Sequence, residues 1–138
     1  MVKKTKFIFI LIKLLIAAVM IWNLQAAVSL LIDPIGQLPY FLLGGQVGVI
    51  VISSIGILFL MWNIPYIFAV LHPTDWKILV PVILTMQLVG LLGEIWIFPL
   101  TTGLPPLRET ITRFLWFDAL GLVFLLVAFI LSKQYMES

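Results

Sequence analysis

The chain contains no cysteine and a single histidine, and only 10% of its 138 residues are charged. Without cysteine it can form no disulfide, no thiolate metal site and no CxxC redox couple. The four-helix membrane enzymes that pass electrons to quinones through cysteine pairs are excluded with them. One histidine and six scattered carboxylates are a poor supply for a metal site made of protein ligands alone. The scarcity of charge says more. Soluble domains are typically about 25% charged and about 45–50% apolar, whereas this chain is 63% apolar, with a mean hydropathy of +1.23. A domain this small buries too little of its surface to hide so much apolar side chain from water. Lipid is the expected solvent. The net charge of +2, with basic residues clustered only at Lys3, Lys4 and Lys6, offers no footprint for nucleic acid.

What the chain does have is long apolar runs. A membrane-spanning helix needs about 20 mostly apolar residues, and residues 7–32, 41–64, 76–98 and 107–131 each supply one. The expectation is all-α: one transmembrane domain over residues 1–138, built as an integral membrane four-helix bundle. The first run follows three lysines and passes Ala26-Ala27, which outlines a signal peptide. It is far longer than an h-region of about 7–15 residues, so a retained helix is predicted. Asp33-Pro34-Ile35-Gly36-Gln37-Leu38-Pro39 reads as a turn. Thr74 or Asp75 is placed to cap the third span, and Pro105 or Pro106 suits the first turn of the fourth. Pro65 is the awkward residue. A helix running unbroken from Phe41 to Leu71 would be about 46 Å long at 1.5 Å per residue, so either a kink or a stop is expected there.

Lysine and arginine in short loops set orientation. With the N-terminus and C-terminus both cytoplasmic, the inner side holds Lys3, Lys4, Lys6, Lys77 and Lys133, and the outer side Arg108, with Arg113 just below the surface. Lys13 can snorkel back to the inner headgroups. Trp62, Tyr66, Trp76 and Tyr135 are expected as inner interfacial anchors, Tyr40 and Trp96 as outer ones.

Ionisable groups within a bilayer usually face protein or a cavity. At 1.5 Å per residue, Glu94 lies about 6 Å below the outer boundary, Arg113 about 3 Å and Asp118 about 10 Å. The third and fourth spans form an antiparallel hairpin, so Arg113 is expected to reach Glu94, its planar fork matching a carboxylate. Asp118 must then be neutral, hydrated or matched by another partner such as Gln87. Gln87 shares a face with Gly90 and Glu94, and Gly93 and Gly121 allow close approach nearby. Gln46, Ser53, Gly56 and Asn63 form a polar stripe on the second span. The GxxxG of Gly44–Gly48 speaks for helix packing. Trp22-Asn23 and Trp62-Asn63 both follow a Met-containing run, but two residues make no repeat. His72, in Leu71-His72-Pro73, is a possible axial ligand for haem or a chlorin, and more often such a residue is a polar helix terminus. No phosphate loop, nucleophile elbow or HExxH pattern is present.

The run Met61-Trp62-Asn63-Ile64-Pro65-Tyr66, then His72-Pro73, then Gln87 to Glu94, then Arg113-Phe114, Phe117-Asp118 and Gly121-Leu122 resembles small four-helix membrane proteins of bacteria without an assigned activity. The resemblance implies the architecture and a bacterial inner membrane; it carries over no functional residue and no cofactor. Three roles follow as expectations. With so little chain outside the spans, the first is a non-catalytic subunit of a larger membrane complex, partnered by other membrane proteins or by itself. The second is a small transporter or proton conductor using Glu94, Arg113 and Asp118. The third is a binder of a lipophilic ligand such as a quinone, lipid or pigment. No nucleophile–base pair is visible, so an enzyme is not expected.

Overall fold

A computed structural model describes residues 2–136 of the chain, with side chains for residues 6–135. The side chains of Lys3 and Lys4, used above for orientation, lie outside the described residues. The fold is all-helical: α1 (Val2–Ile32), a one-turn α2 (Pro34–Gln37), α3 (Gly45–Leu71), α4 (Trp76–Ile97) and α5 (Pro105–Met136). Short 3-10 turns at Leu38–Phe41, Pro73–Asp75 and Phe98–Thr101 join them. Four of the helices, α1, α3, α4 and α5, are long and apolar enough to cross a membrane. Each is apolar around its whole circumference, which suits a helix surrounded by lipid better than one with a wet face. Val47, Ile78 and Leu14 are 72%, 69% and 61% exposed on the outside of the bundle.

The helix boundaries show which local signals prevailed. Residues 33–39 form more than a turn: Asp33 Oδ1 accepts the Gly36 N–H at 3.0 Å and caps α2. The 3-10 turn after it closes with Leu42 in the left-handed region (φ 54) and the Leu43 N–H donating to the Leu38 carbonyl at 3.0 Å. That 6→1 bond is a helix-terminating geometry. The second span therefore begins at Gly45, whose own φ of +63 needs a glycine, rather than at Phe41. It then runs through Pro65 without a break to Leu71. Thr74 and Asp75 make no side-chain cap on α4; the Asp75 N–H instead donates to the His72 carbonyl at 3.1 Å. Pro105 does open α5.

The helices run up and down. Near one end, the Phe9 ring lies 5.4 Å from Trp76 and 5.7 Å from Tyr135, so both chain ends meet the α3–α4 link. At the other end, Thr110 Oγ1 donates to the Tyr40 carbonyl at 3.0 Å and Gln37 Nε2 to Ser29 Oγ at 3.1 Å. In cross-section α1 packs closely on α3, α5 packs on both α1 and α4, and α3 against α4 is the loosest seam.

Packing along the bundle is uneven. The core is made by Ile12, Ile16 and Val19 of α1, Tyr66 and Ala69 of α3, Trp76, Val80 and Ile83 of α4, and Leu125 and Ala128 of α5. All of these lie in the half nearest the termini. Tyr66 and Trp76 belong to this core and are fully buried, with Trp76 Nε1 donating to the Ala69 carbonyl at 2.7 Å. They are not interfacial anchors: a ring at the end of a tight bundle satisfies its polar atom inward as readily as in headgroups. Trp96, 81% exposed, and Tyr40, 46% exposed, do face outward at the opposite end.

A candidate ligand cavity in the open half of the bundle

Away from the termini α1 and α3 stay in close contact at Gly56, but α3 and α4 stand apart, and the space beside them is a cavity of about 520 Å³. The small residues of α4 open it. Gly93 is exposed, and a Cβ built there would meet nothing within 4 Å. α1 contributes Trp22, Asn23 and Ala26 to the wall; α3 contributes Ile55, Leu58, Phe59 and Trp62. From the other side come Gly90, Gly93 and Glu94 of α4, with Phe114, Phe117 and Asp118 of α5. Leu58 on α3 and Val89 on α4, 60% and 59% exposed, form two lips of an opening along the loose α3–α4 seam.

Of the lining residues, Asp118 ends a hydrogen-bonded chain that crosses three helices. The Tyr66 hydroxyl donates to Gln87 Oε1 at 2.7 Å, and Gln87 Nε2 donates to Asp118 Oδ1 at 2.9 Å. The second bond is the partner for Asp118 that the hairpin geometry suggests. Glycines make room for it reciprocally. On α4, a Cβ at Gly90 would stand 2.6 Å from Asp118 Oδ2; on α5, a Cβ at Gly121 would stand 2.6 Å from Gln87 Nε2. Gln87 precedes Gly90 by three positions and Asp118 precedes Gly121 by three, so in an antiparallel pair each polar side chain drops into the other helix's glycine notch.

Among the described residues three side-chain atoms are buried without a hydrogen-bond partner: Glu94 Oε2, Asn23 Nδ2 and Asn63 Oδ1. Most buried polar atoms in proteins are paired, so each asks for an explanation. Glu94 and Asn23 both line the cavity. Asn63 lies behind α3, fully buried, with its Nδ2 donating to the Phe59 carbonyl at 2.8 Å.

The expected ionic cluster does not form as drawn. Gln87, Glu94 and Asp118 come together, but Arg113 turns outward and pairs with Glu109 one turn earlier on α5. Positions 113 and 118 stand about 140° apart on a helix, so seating Asp118 against α4 points Arg113 elsewhere. Arg113 lines a second, smaller cavity of about 350 Å³ with Gln25, Ser29, Gln37 and Thr110, beyond a wall that includes Trp22 and Phe117. Along the α3 stripe, Asn63 and Gly56 are buried, Ser53 is half-buried and Gln46 is exposed in the first turn. Gly56 is the close-approach glycine, facing Leu30 and Leu31 of α1, whereas Gly48 of the GxxxG packs on Leu38 and Leu43 of the preceding turn. His72 is an exposed helix end stacked on Phe68 at 5.6 Å and lines neither cavity. Among the described residues no three His, Cys, Asp or Glu side chains gather as a metal site would need.

Reading the residues pointed to aromatic side chains around a lipophilic ligand but did not say which rings. Trp62, expected as an inner interfacial anchor, lines the cavity instead, together with Trp22. The signal was present: a tryptophan and an amide in mid-span are each unusual on a lipid-facing surface. No protein-family model, curated protein or solved structure matches the chain.

Proposed function

We propose that the chain is a multi-pass membrane protein that holds a lipophilic small molecule in the cavity between α3 and α4. One observation carries this reading: the cavity has an aromatic wall, and two of its lining residues, Glu94 and Asn23, each keep a buried polar atom without a partner. Its volume of about 520 Å³ falls within the roughly 300–1,000 Å³ of small-molecule sites, which are mostly apolar with a few placed polar groups. The opening along the α3–α4 seam suits entry from the lipid phase. The lysine and arginine bias supports cytoplasmic N- and C-termini. With the four long helices joined only by short segments, the chain also suits a place as a subunit within a larger membrane complex.

The test is co-purification from mild detergent of the wild type and of Gly93→Phe, whose ring projects into the cavity from an open position. Solvent extracts of both are compared by mass spectrometry. A lipophilic molecule present in stoichiometric amount with the wild type and depleted from the variant is expected. Equal retention by both proteins, or no retained molecule in either, overturns the proposal.

A further inference from the structure

Resting on the reading of the cavity as a ligand site, we infer that its ligand is a lipophilic cation, held between the tryptophans and the Glu94–Asp118 carboxylates. The charges around the cavity are one-sided. Glu94 enters it from α4 and Asp118 from α5; the segments of α1 and α3 that line it contribute no ionisable group. The nearest arginine on α5, Arg113, is engaged by Glu109 outside the cavity. Lys13 stands over the Phe9 ring at 5.4 Å, in the half of the bundle nearest the termini.

A neutral occupant would leave two acids facing each other in a medium of low dielectric, where an opposite charge is worth far more than in water. A cation supplies that charge. It also finds a second kind of partner, because Trp22 and Trp62 line the cavity and tryptophan rings attract cations through their quadrupole. The polar atoms show where the ligand's head belongs. Asp118 Oδ1 is already taken by Gln87, whereas the Glu94 carboxylate has a buried oxygen, Oε2, with no partner. Asn23, only 8% exposed, also lines the cavity and keeps an unpartnered Nδ2. A ligand with a cationic head would bring the missing opposite charge to this carboxylate. Its apolar body then lies against Phe59, Phe114 and Phe117. Binding a cation beside a carboxylate favours the ionised carboxylate, so affinity should rise with pH wherever an acid must shed its proton. Glu94 and Asp118 are the ionisable groups on the four lining segments that such a titration involves.

The experiment uses three probes of matched size and shape: the tetraphenylphosphonium cation, the tetraphenylborate anion and neutral tetraphenylsilane. Each is titrated into the purified full chain in one detergent by calorimetry, with Gly93→Phe as the control for partition into micelles. The expected result is saturable binding of the cation alone, abolished in Gly93→Phe and stronger at about pH 9 than at about pH 6. Glu94→Gln should weaken it by on the order of tenfold or more. Saturable binding of the neutral or anionic probe as tight as that of the cation overturns the charge assignment but leaves the cavity reading standing. Failure of all three probes to bind the folded wild type overturns both. The comparison among probes is made on the wild type, so it holds whether or not Glu94→Gln folds.

Discussion

Substituting Gly121 with alanine tests whether the Gln87–Asp118 interlock holds α4 to α5. The new Cβ would stand 2.6 Å from Gln87 Nε2 and 3.4 Å from Val19 Cγ1. The second contact is ordinary; the first cannot persist. Gln87 Nε2 is the tip of a flexible side chain, so the clash alone is easily relieved by swinging the amide away. The penalty lies in what the swing breaks: the bonds from Tyr66 at 2.7 Å and to Asp118 at 2.9 Å. Interhelical hydrogen bonds in membranes average about 0.6 kcal/mol each, so two give about 1.2 kcal/mol. If the amide resists, overpacking costs about 1–3 kcal/mol instead. Exchanging glycine for alanine also alters helix propensity by up to about 1 kcal/mol, and Gly93→Ala on α4 corrects for that because its Cβ meets nothing within 4 Å. Gly121→Ala should therefore be about 1–3 kcal/mol less stable than Gly93→Ala. The assay is reversible unfolding in mixed micelles by added sodium dodecyl sulfate, followed by tryptophan fluorescence. A Gln87→Ala background should erase most of the difference, since the side chain in the way is gone. Equal stability of the two glycine variants would refute the interlock.

Two further outcomes follow from the ionic groups and from the absence of cysteine. Glu109 and Arg113 form an exposed pair one helical turn apart, with side chains 63% and 61% exposed; a double-mutant cycle with Glu109→Gln and Arg113→Gln should give a coupling below about 0.5 kcal/mol, and a coupling of Arg113 to Glu94 instead would contradict the side-chain placement. Thr102 and Thr74 are exposed at opposite ends of the bundle, and any introduced cysteine is unique, so an impermeant thiol reagent added outside intact cells should label Thr102→Cys and spare Thr74→Cys; the reverse pattern would invert the topology.

The sequence made the number of helices legible because apolar runs of spanning length, separated by proline and glycine, admit few alternatives. Their ends were less so. The start of α3 is set by Leu42 in a left-handed conformation, which nothing about leucine announces. Pro65 left two outcomes open, and the continuous helix was one of them. In the site, seven-residue spacing puts Gln87 and Glu94 on one face, and Gln87 is the partner expected for an Asp118 that Arg113 cannot serve. Depth alone misled at Arg113, because height along a helix says nothing of azimuth, and Glu109 on the same face was nearer. The cavity was hidden for a different reason. It arises where the ends of α3 and α4 away from the termini stand apart while the other ends pack around Tyr66 and Trp76, a property of interhelical angle that no single residue encodes.

A small lipophilic diazirine, photolysed in membranes containing the protein and mapped by peptide mass spectrometry, tests the central claim most directly. Outward side chains such as Val47, Ile78 and Ile130, 72%, 69% and 49% exposed, report contact with bulk lipid. If the cavity holds lipophilic molecules, labelling per residue should be strongest on Trp22, Trp62 and Phe114, which line it, and Gly93→Phe should remove that excess while leaving the outward labelling unchanged. Labelling spread evenly over outward positions, with Trp22 and Trp62 spared in the wild type, would contradict the account.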